Sequence, residues 1–179
     1  ISYLIIYMGT SDFTNPYNET NADAAKRLYT SATQKYDLKD YAEAVRLYEQ
    51  AWQKDPYVGT FHNLALCYYH GWGTAKNAMR CHDLTFHAAR MNDAQSMYNL
   101  ASFYSSGFGC EANPKNARYW LEQAANKGYI PARYTLAVKQ HAEAQANPTP
   151  LQFYCRTLKA AADHGHETAQ QLMAEWFDQ

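Results

Sequence analysis

Neither sign of charge dominates this chain: 16 Lys and Arg stand against 17 Asp and Glu over 179 residues, a formal net charge of −1. A protein that grips phosphates needs a basic face, and nothing beyond the Lys26-Arg27 pair supplies one. A nucleic-acid partner is therefore not expected. Long apolar runs are missing too. The opening stretch Ile1 to Met8 is apolar but far too short to span a bilayer. It also lacks the basic flank and small-residue cleavage site of a whole signal peptide. It reads either as a flap covering the start of the folded body or as the remnant of a leader or tag, with upstream residues missing. Cysteine is scarce and unpatterned: Cys67, Cys81, Cys110 and Cys155 form no C-x-x-C pair and match no zinc spacing. They read as thiols filling small apolar sites, with a Cys67–Cys81 bridge as the alternative. Unpatterned thiols lean towards a reducing compartment.

Catalytic signatures are lacking as well. The chain has no G-x-S-x-G, H-E-x-x-H, S-x-x-K, Walker loop or dinucleotide fingerprint. Cys67 and His70 could converge, but nothing else supports a nucleophilic pair. Among seven histidines, His82 and His87 lie five apart, off a common helical face, and His164-Gly-His166 has no carboxylate partner at ligand spacing. His164 has a sufficient structural role near a helix C-terminus. No enzyme, metal or cofactor is expected.

What the chain does have is tyrosine, 16 copies, and a repeat. Leu64, Leu100 and Leu136 stand 36 residues apart in one frame: a small residue (Thr60, Ser96, Ala132), three spacers, Leu, Ala. Ala24 and Leu28 echo it earlier. A period in this range marks a solenoid, each unit burying its apolar face against its neighbours. The apolar content of 47% suffices for such a core.

Residues 9–20, holding Asn, Thr, Ser, Gly and Pro16, read as a loop, and Asn18-Glu-Thr20 fits a glycosylation sequon. Units follow at 21–56, 57–92, 93–128 and 129–165, with a half unit at 166–179, each whole unit two antiparallel helices. In the first helix Phe61, Leu64, Ala65 and Tyr68 share one face. In the half unit, Ala169, Met173 and Ala174 take up this frame, shifted by one residue. The second helix repeats its own frame as Ala44-Tyr48-Ala51, Cys81-Thr85-Ala88, Ala117-Leu121-Ala124 and Tyr154-Leu158-Ala161. Asp40-x-x-Glu43 fits a capping box, and Asn113-Pro114 and Thr149-Pro150 place a cap before a proline. Gly128, Gly165 and Asn92 suit left-handed helix ends. Gly71-Trp-Gly73 and Gly107-Phe-Gly109 suit tight turns between helices, whereas the first unit has only the short Tyr36–Asp40 link.

These residues resemble the Sel-like repeat family, the longer cousin of the tetratricopeptide repeat. The third unit carries the likeness through Leu100, Tyr104, Gly107, Gly109, Ala117, Trp120, Ala124, Ala125 and Gly128, and the second through Leu64, Tyr68, Gly71, Gly73, Ala88 and Ala89. Ala replaces the family's Gly after Leu, the fourth unit lacks the Gly-x-Gly turn, and the seven-residue cysteine gap of disulfide-bonded members is absent. The resemblance implies an all-α, right-handed α-solenoid of about four and a half helix-turn-helix repeats over 21–179.

It also implies a concave face lined by the first helices, which would hold another protein or a peptide. By likeness to tetratricopeptide repeats, that face comprises His62, Leu66, Tyr69 and His70 in the second unit. In the third it comprises Tyr98, Ser102, Ser105 and Ser106, and in the fourth Tyr134, Val138, His141 and Ala142. Tyr69, Tyr98 and Tyr134 are the expected exposed anchors. The leading functional expectation is a non-enzymatic adaptor. An immunity-type inhibitor of a secreted toxin is the alternative, and a hydrolase of cell-wall or β-lactam substrates ranks third. The oligomeric state is not written in the chain.

Overall fold

Alanine and other small residues let the helices of this protein approach closely, and their spacing decides which faces meet. The computed structural model describes residues 19–146 and 152–177. Over these it forms nine helices and no strand: α1 (Asn21–Asp37), α2 (Tyr41–Lys54), α3 (Val58–His70), α4 (Ala78–Arg90), α5 (Ala94–Ser106), α6 (Pro114–Asn126), α7 (Ile130–Ala146), α8 (Gln152–Asp163) and α9 (Glu167–Phe177). All extensive helix–helix contacts join consecutive helices. The molecule is thus an α-solenoid whose core is a chain of neighbouring interfaces.

Both repeating frames are buried. In the first helices Thr60, Ser96 and Ala132 are at most 2% exposed, and Leu64, Leu100 and Leu136 at most 6%. Ala65, Ala101 and Ala137 beside them are buried too. In the second helices Ala44, Tyr48, Ala51, Cys81, Thr85, Ala88, Ala117, Leu121, Ala124, Leu158 and Ala161 are all buried. The frame weakens towards the ends. Leu28 is only half-buried, and in α9 Ala169 is covered while Met173 is half-buried and Ala174 exposed. No further helix packs on α9 among the described residues.

Caps set the helix limits. Asn77, Asp93 and Asn113 each accept a hydrogen bond from the backbone N–H three residues on, and Pro114 follows at the first helical position. The Asp40–Glu43 capping box does not form. Asp40 makes no side-chain cap; it pairs with Lys35 at 3.4 Å while Glu43 pairs with Arg46. Asn92, Gly128 and Gly165 adopt positive φ where the chain passes between helix pairs, as does Lys39 in the short first turn. At the far end of α8, the His164 ring meets the carbonyl of Ala160 at 2.6 Å.

The Gly-x-Gly turns tie each helix pair to the one before. Gly71 and Gly107 close α3 and α5 in the left-handed conformation. The second glycine is needed for a different reason: a Cβ on Gly73 would lie 2.2 Å from the Tyr41 carbonyl oxygen, at the start of α2. Gly109 meets Ala78, at the start of α4, in the same way. The aromatic between the glycines packs backwards as well. Trp72 stacks on Tyr41 with centroids 5.3 Å apart, and Phe108 tilts against Tyr69 at 5.3 Å.

Cys67, Cys81 and Cys110 are free, so the Cys67–Cys81 bridge does not form. Of the 9–20 loop only Glu19 and Thr20 are described, Thr20 capping α1 by accepting from the Asp23 N–H. The readings of Ile1–Met8, the rest of that loop, the Asn18 sequon, Thr149-Pro150 and the Tyr154 and Cys155 side chains lie outside the described residues.

Candidate functional site

α3 and α5 stand side by side as the first helices of adjacent pairs, and a groove of about 290 Å³ opens between them. It gathers six of the expected face residues: His62, Leu66, Tyr69 and His70 from α3, and Tyr98 and Ser102 from α5. Its floor comes from α4, through Cys81 and Thr85. Ser105 lies further along, in a hollow of about 150 Å³ that shares Tyr98 and Ser102 with the groove. A third hollow of about 420 Å³, between α6 and α7, shares Ser105, Leu121 and Lys139 with the second and adds charge through Lys115, Arg118 and Glu143. The three depressions share lining residues and run from α3 to α7. Tyr134, Val138 and His141 are half-buried on α7 and line none of these hollows.

The expected anchors differ in exposure. Tyr69 is 47% exposed. Tyr98 is half-buried: its ring tilts against Tyr129 at 5.5 Å and its hydroxyl lies 3.3 Å from Thr135 Oγ1. Tyr134 stacks on His166 with centroids 4.5 Å apart. Both therefore serve packing between helix pairs as well as any surface role. The correction has a plain cause: helical spacing says which face a residue occupies, but not which ring the next pair brings against it.

Aromatic rings continue along the turn edge of the groove. Tyr69 meets His70 edge-on at 4.9 Å, and His70 stacks on Trp72 at 4.2 Å. No Asp, Glu, Lys or Arg lines the α3–α5 groove. Its polar capacity comes from imidazole, amide and hydroxyl groups, which suit hydrogen bonds to a neutral ligand. Sequence reasoning passed over Thr85 and Asn99 in its walls, because a small residue within a buried frame signals packing unless side-chain volumes are compared across repeats.

The buried thiols near the groove are not activated nucleophiles. Burial pushes the thiols of Cys67 and Cys81 up to about 11, which holds them protonated and unreactive near neutral pH. Cys67 is fully buried while His70 is exposed at the helix end. Among the described residues no cluster of three or more His, Cys, Asp or Glu could hold a metal ion. Nor is any described helix long and apolar enough to cross a membrane.

Residues 34–54, 62–93 and 94–129 match the Sel1 repeat. Among solved structures, the chain is similar to a Sel1 repeat protein from Oxalobacter formigenes, at 21% identity and a TM-score of 0.67, over 85% of this chain and 60% of that one. It is also similar to a protective antigen present in uropathogenic Escherichia coli strains and displaying an SLR fold. There the identity is 20% and the TM-score 0.68, over 89% of this chain and 37% of that one. The chain thus spans less than two thirds of either protein. At these identities the likeness concerns the fold.

Proposed function

Because this chain belongs to the Sel1 repeat family, whose members generally act as protein-interaction scaffolds, we propose that it is a non-enzymatic adaptor. Its partner, a peptide or a protein domain, lies along the first helices. The single observation that carries this reading is the α3–α5 groove, where six of the expected face residues converge on one uncharged, aromatic-walled depression. Aromatic groups at such a site supply large contact area at small entropic cost, and the surrounding hydroxyls and amides adjust to a polypeptide backbone.

Affinity purification with identification of the co-purifying protein, followed by titration of that protein, tests the reading. Tyr69→Ala is expected to weaken binding by more than ~1 kcal/mol, the scale of an anchor residue. Its effect on stability should stay within ~0.5 kcal/mol, as for an exposed position. Unchanged affinity would move the binding surface away from the groove.

A further inference from the structure

The α3–α5 groove borders Thr85, which holds a recurring position of the second-helix frame. At the junction of α1, α2 and α3 that position is Tyr48, fully buried. Its ring lies 5.9 Å from that of Tyr29, and its hydroxyl is held by Asn63 Nδ2 at 2.8 Å and by Thr33 Oγ1 at 3.2 Å. Two phenol rings therefore fill the space between α1 and α3, with an asparagine amide meeting one hydroxyl. Gly59 belongs to the same arrangement, since a Cβ there would lie 2.7 Å from the Tyr29 hydroxyl oxygen.

One repeat later both rings are gone. Thr85 takes the place of Tyr48, Ala65 that of Tyr29, and Gln95 that of Gly59, while the asparagine recurs as Asn99. The α3–α5 groove of about 290 Å³ opens beside these positions, with Ala65, Thr85 and Asn99 in its lining. At the third junction Leu121 occupies the frame position and Thr135 replaces the asparagine. Thr135 is met by the Tyr98 hydroxyl, and Leu121 borders both the hollow of about 150 Å³ there and the hollow of about 420 Å³ between α6 and α7. The space beside this frame position is thus taken up by rings at Tyr48 and open at Thr85.

The polar groups of the open junction match the missing phenol. Thr85 Oγ1 donates to the Cys81 carbonyl at 2.8 Å and keeps only acceptor capacity. The Asn99 side chain makes no hydrogen bond among the described residues, whereas its counterpart Asn63 is bound to a tyrosine hydroxyl. We propose that the hollow between α3 and α5 receives a tyrosine side chain from the partner, with its ring over Ala65 and Thr85 and its hydroxyl on the Asn99 amide. This rests on the groove being the partner-binding face. A cavity of roughly 150 Å³ already admits a benzene ring, so size is no obstacle. A phenylalanine would fill the space but strip water from the amide without replacing its hydrogen bond. A charged side chain would find no counter-ion among the lining residues.

The probe is 4-methylphenol, titrated beside toluene and followed by NMR. Saturable shifts are expected at the Asn99 side-chain amide and the Thr85 methyl, with toluene binding about three- to tenfold more weakly for want of one hydrogen bond. Asn99→Leu should erase the preference for 4-methylphenol, and Thr85→Tyr, which puts a ring of the protein's own in the hollow, should abolish binding of both. If Thr85→Tyr fails to fold, the Asn99→Leu comparison decides alone. No saturable shift at these residues, or equal affinity for the two probes in the unaltered protein, overturns the proposal. The two readings fail separately. A partner lost on Tyr69→Ala but bound unchanged by folded Thr85→Tyr leaves the adaptor reading standing and removes the tyrosine pocket. A partner indifferent to every groove substitution removes both.

Discussion

Gly109 lies so close to Ala78 that a Cβ on it would fall 2.1 Å from the Ala78 carbonyl oxygen, the backbone of the preceding helix pair. Gly165 is the opposite case, with a comparable positive φ of 84° and nothing within 4 Å of its imagined Cβ. Gly109→Ala should therefore destabilise the protein by about 2–4 kcal/mol, combining left-handed strain with overpacking against backbone. Gly165→Ala should cost only the conformational part, about 1–2 kcal/mol. Urea denaturation of the two variants checks the difference, and equal losses would show that the turn is not seated on α4.

Leu100 is fully buried in the interface formed by α5 with its neighbours. Leu100→Ala should lower stability by about 2–5 kcal/mol, as core truncations do. A cost within ~0.5 kcal/mol would be the mark of a surface position.

Tyr48→Phe retains the ring and removes only the hydroxyl that Asn63 and Thr33 share. A loss of about 0.5–1.5 kcal/mol is expected, with the Asn63 amide left seeking a partner. Adding Asn63→Leu to that variant should recover part of the loss, since removing both partners spares the desolvated amide.

Alkaline pH should loosen the fold through its buried thiols. Cys67 and Cys81 ionise near 9 when unfolded and near 11 when folded, because burial disfavours the thiolate. The folded state holds the proton more tightly, so this contribution is complete below pH 9 and is lost as pH rises through 11. Stability measured from pH 8 to 11 should fall, and fall less steeply in a Cys67→Ala/Cys81→Ala variant. Tyr68 adds a slope of the same sign, its phenol pushed up to about 12 by burial and by donating to Glu49. An identical slope with and without the two thiols would assign the effect to tyrosine alone.

Much of the fold was legible because its determinants are local and recur. The Leu-Ala frame, the alanines of the second helices and the glycines at helix ends each fix one helical face or one backbone conformation, and all of these stand where their spacing implied. The Asp40 cap was not legible, because a capping bond and an ion pair with Lys35 differ by less than spacing can resolve. Nor was the half-burial of Tyr98 and Tyr134, which depends on Tyr129 and His166 arriving from elsewhere in the array. The hollow beside Thr85 escaped notice for a related reason. A pattern of apolar and small positions records that a site is covered, whereas a missing ring is a matter of volume.

The seating of the Gly-x-Gly turns has a mechanical corollary. Along one margin of the array, Gly73 and Gly109 rest on the backbone of the preceding pair and act as fixed pivots. Along the other margin, a Cβ on Gly128 would meet only the Arg133 guanidinium, at 3.7 Å, and one on Gly165 would meet nothing within 4 Å. Flexing should then resemble the leaves of a book held at its spine, with successive pairs fanning apart on the side away from the Trp72 and Phe108 wedges. A visitor to the groove would set how far the pages open without disturbing the binding.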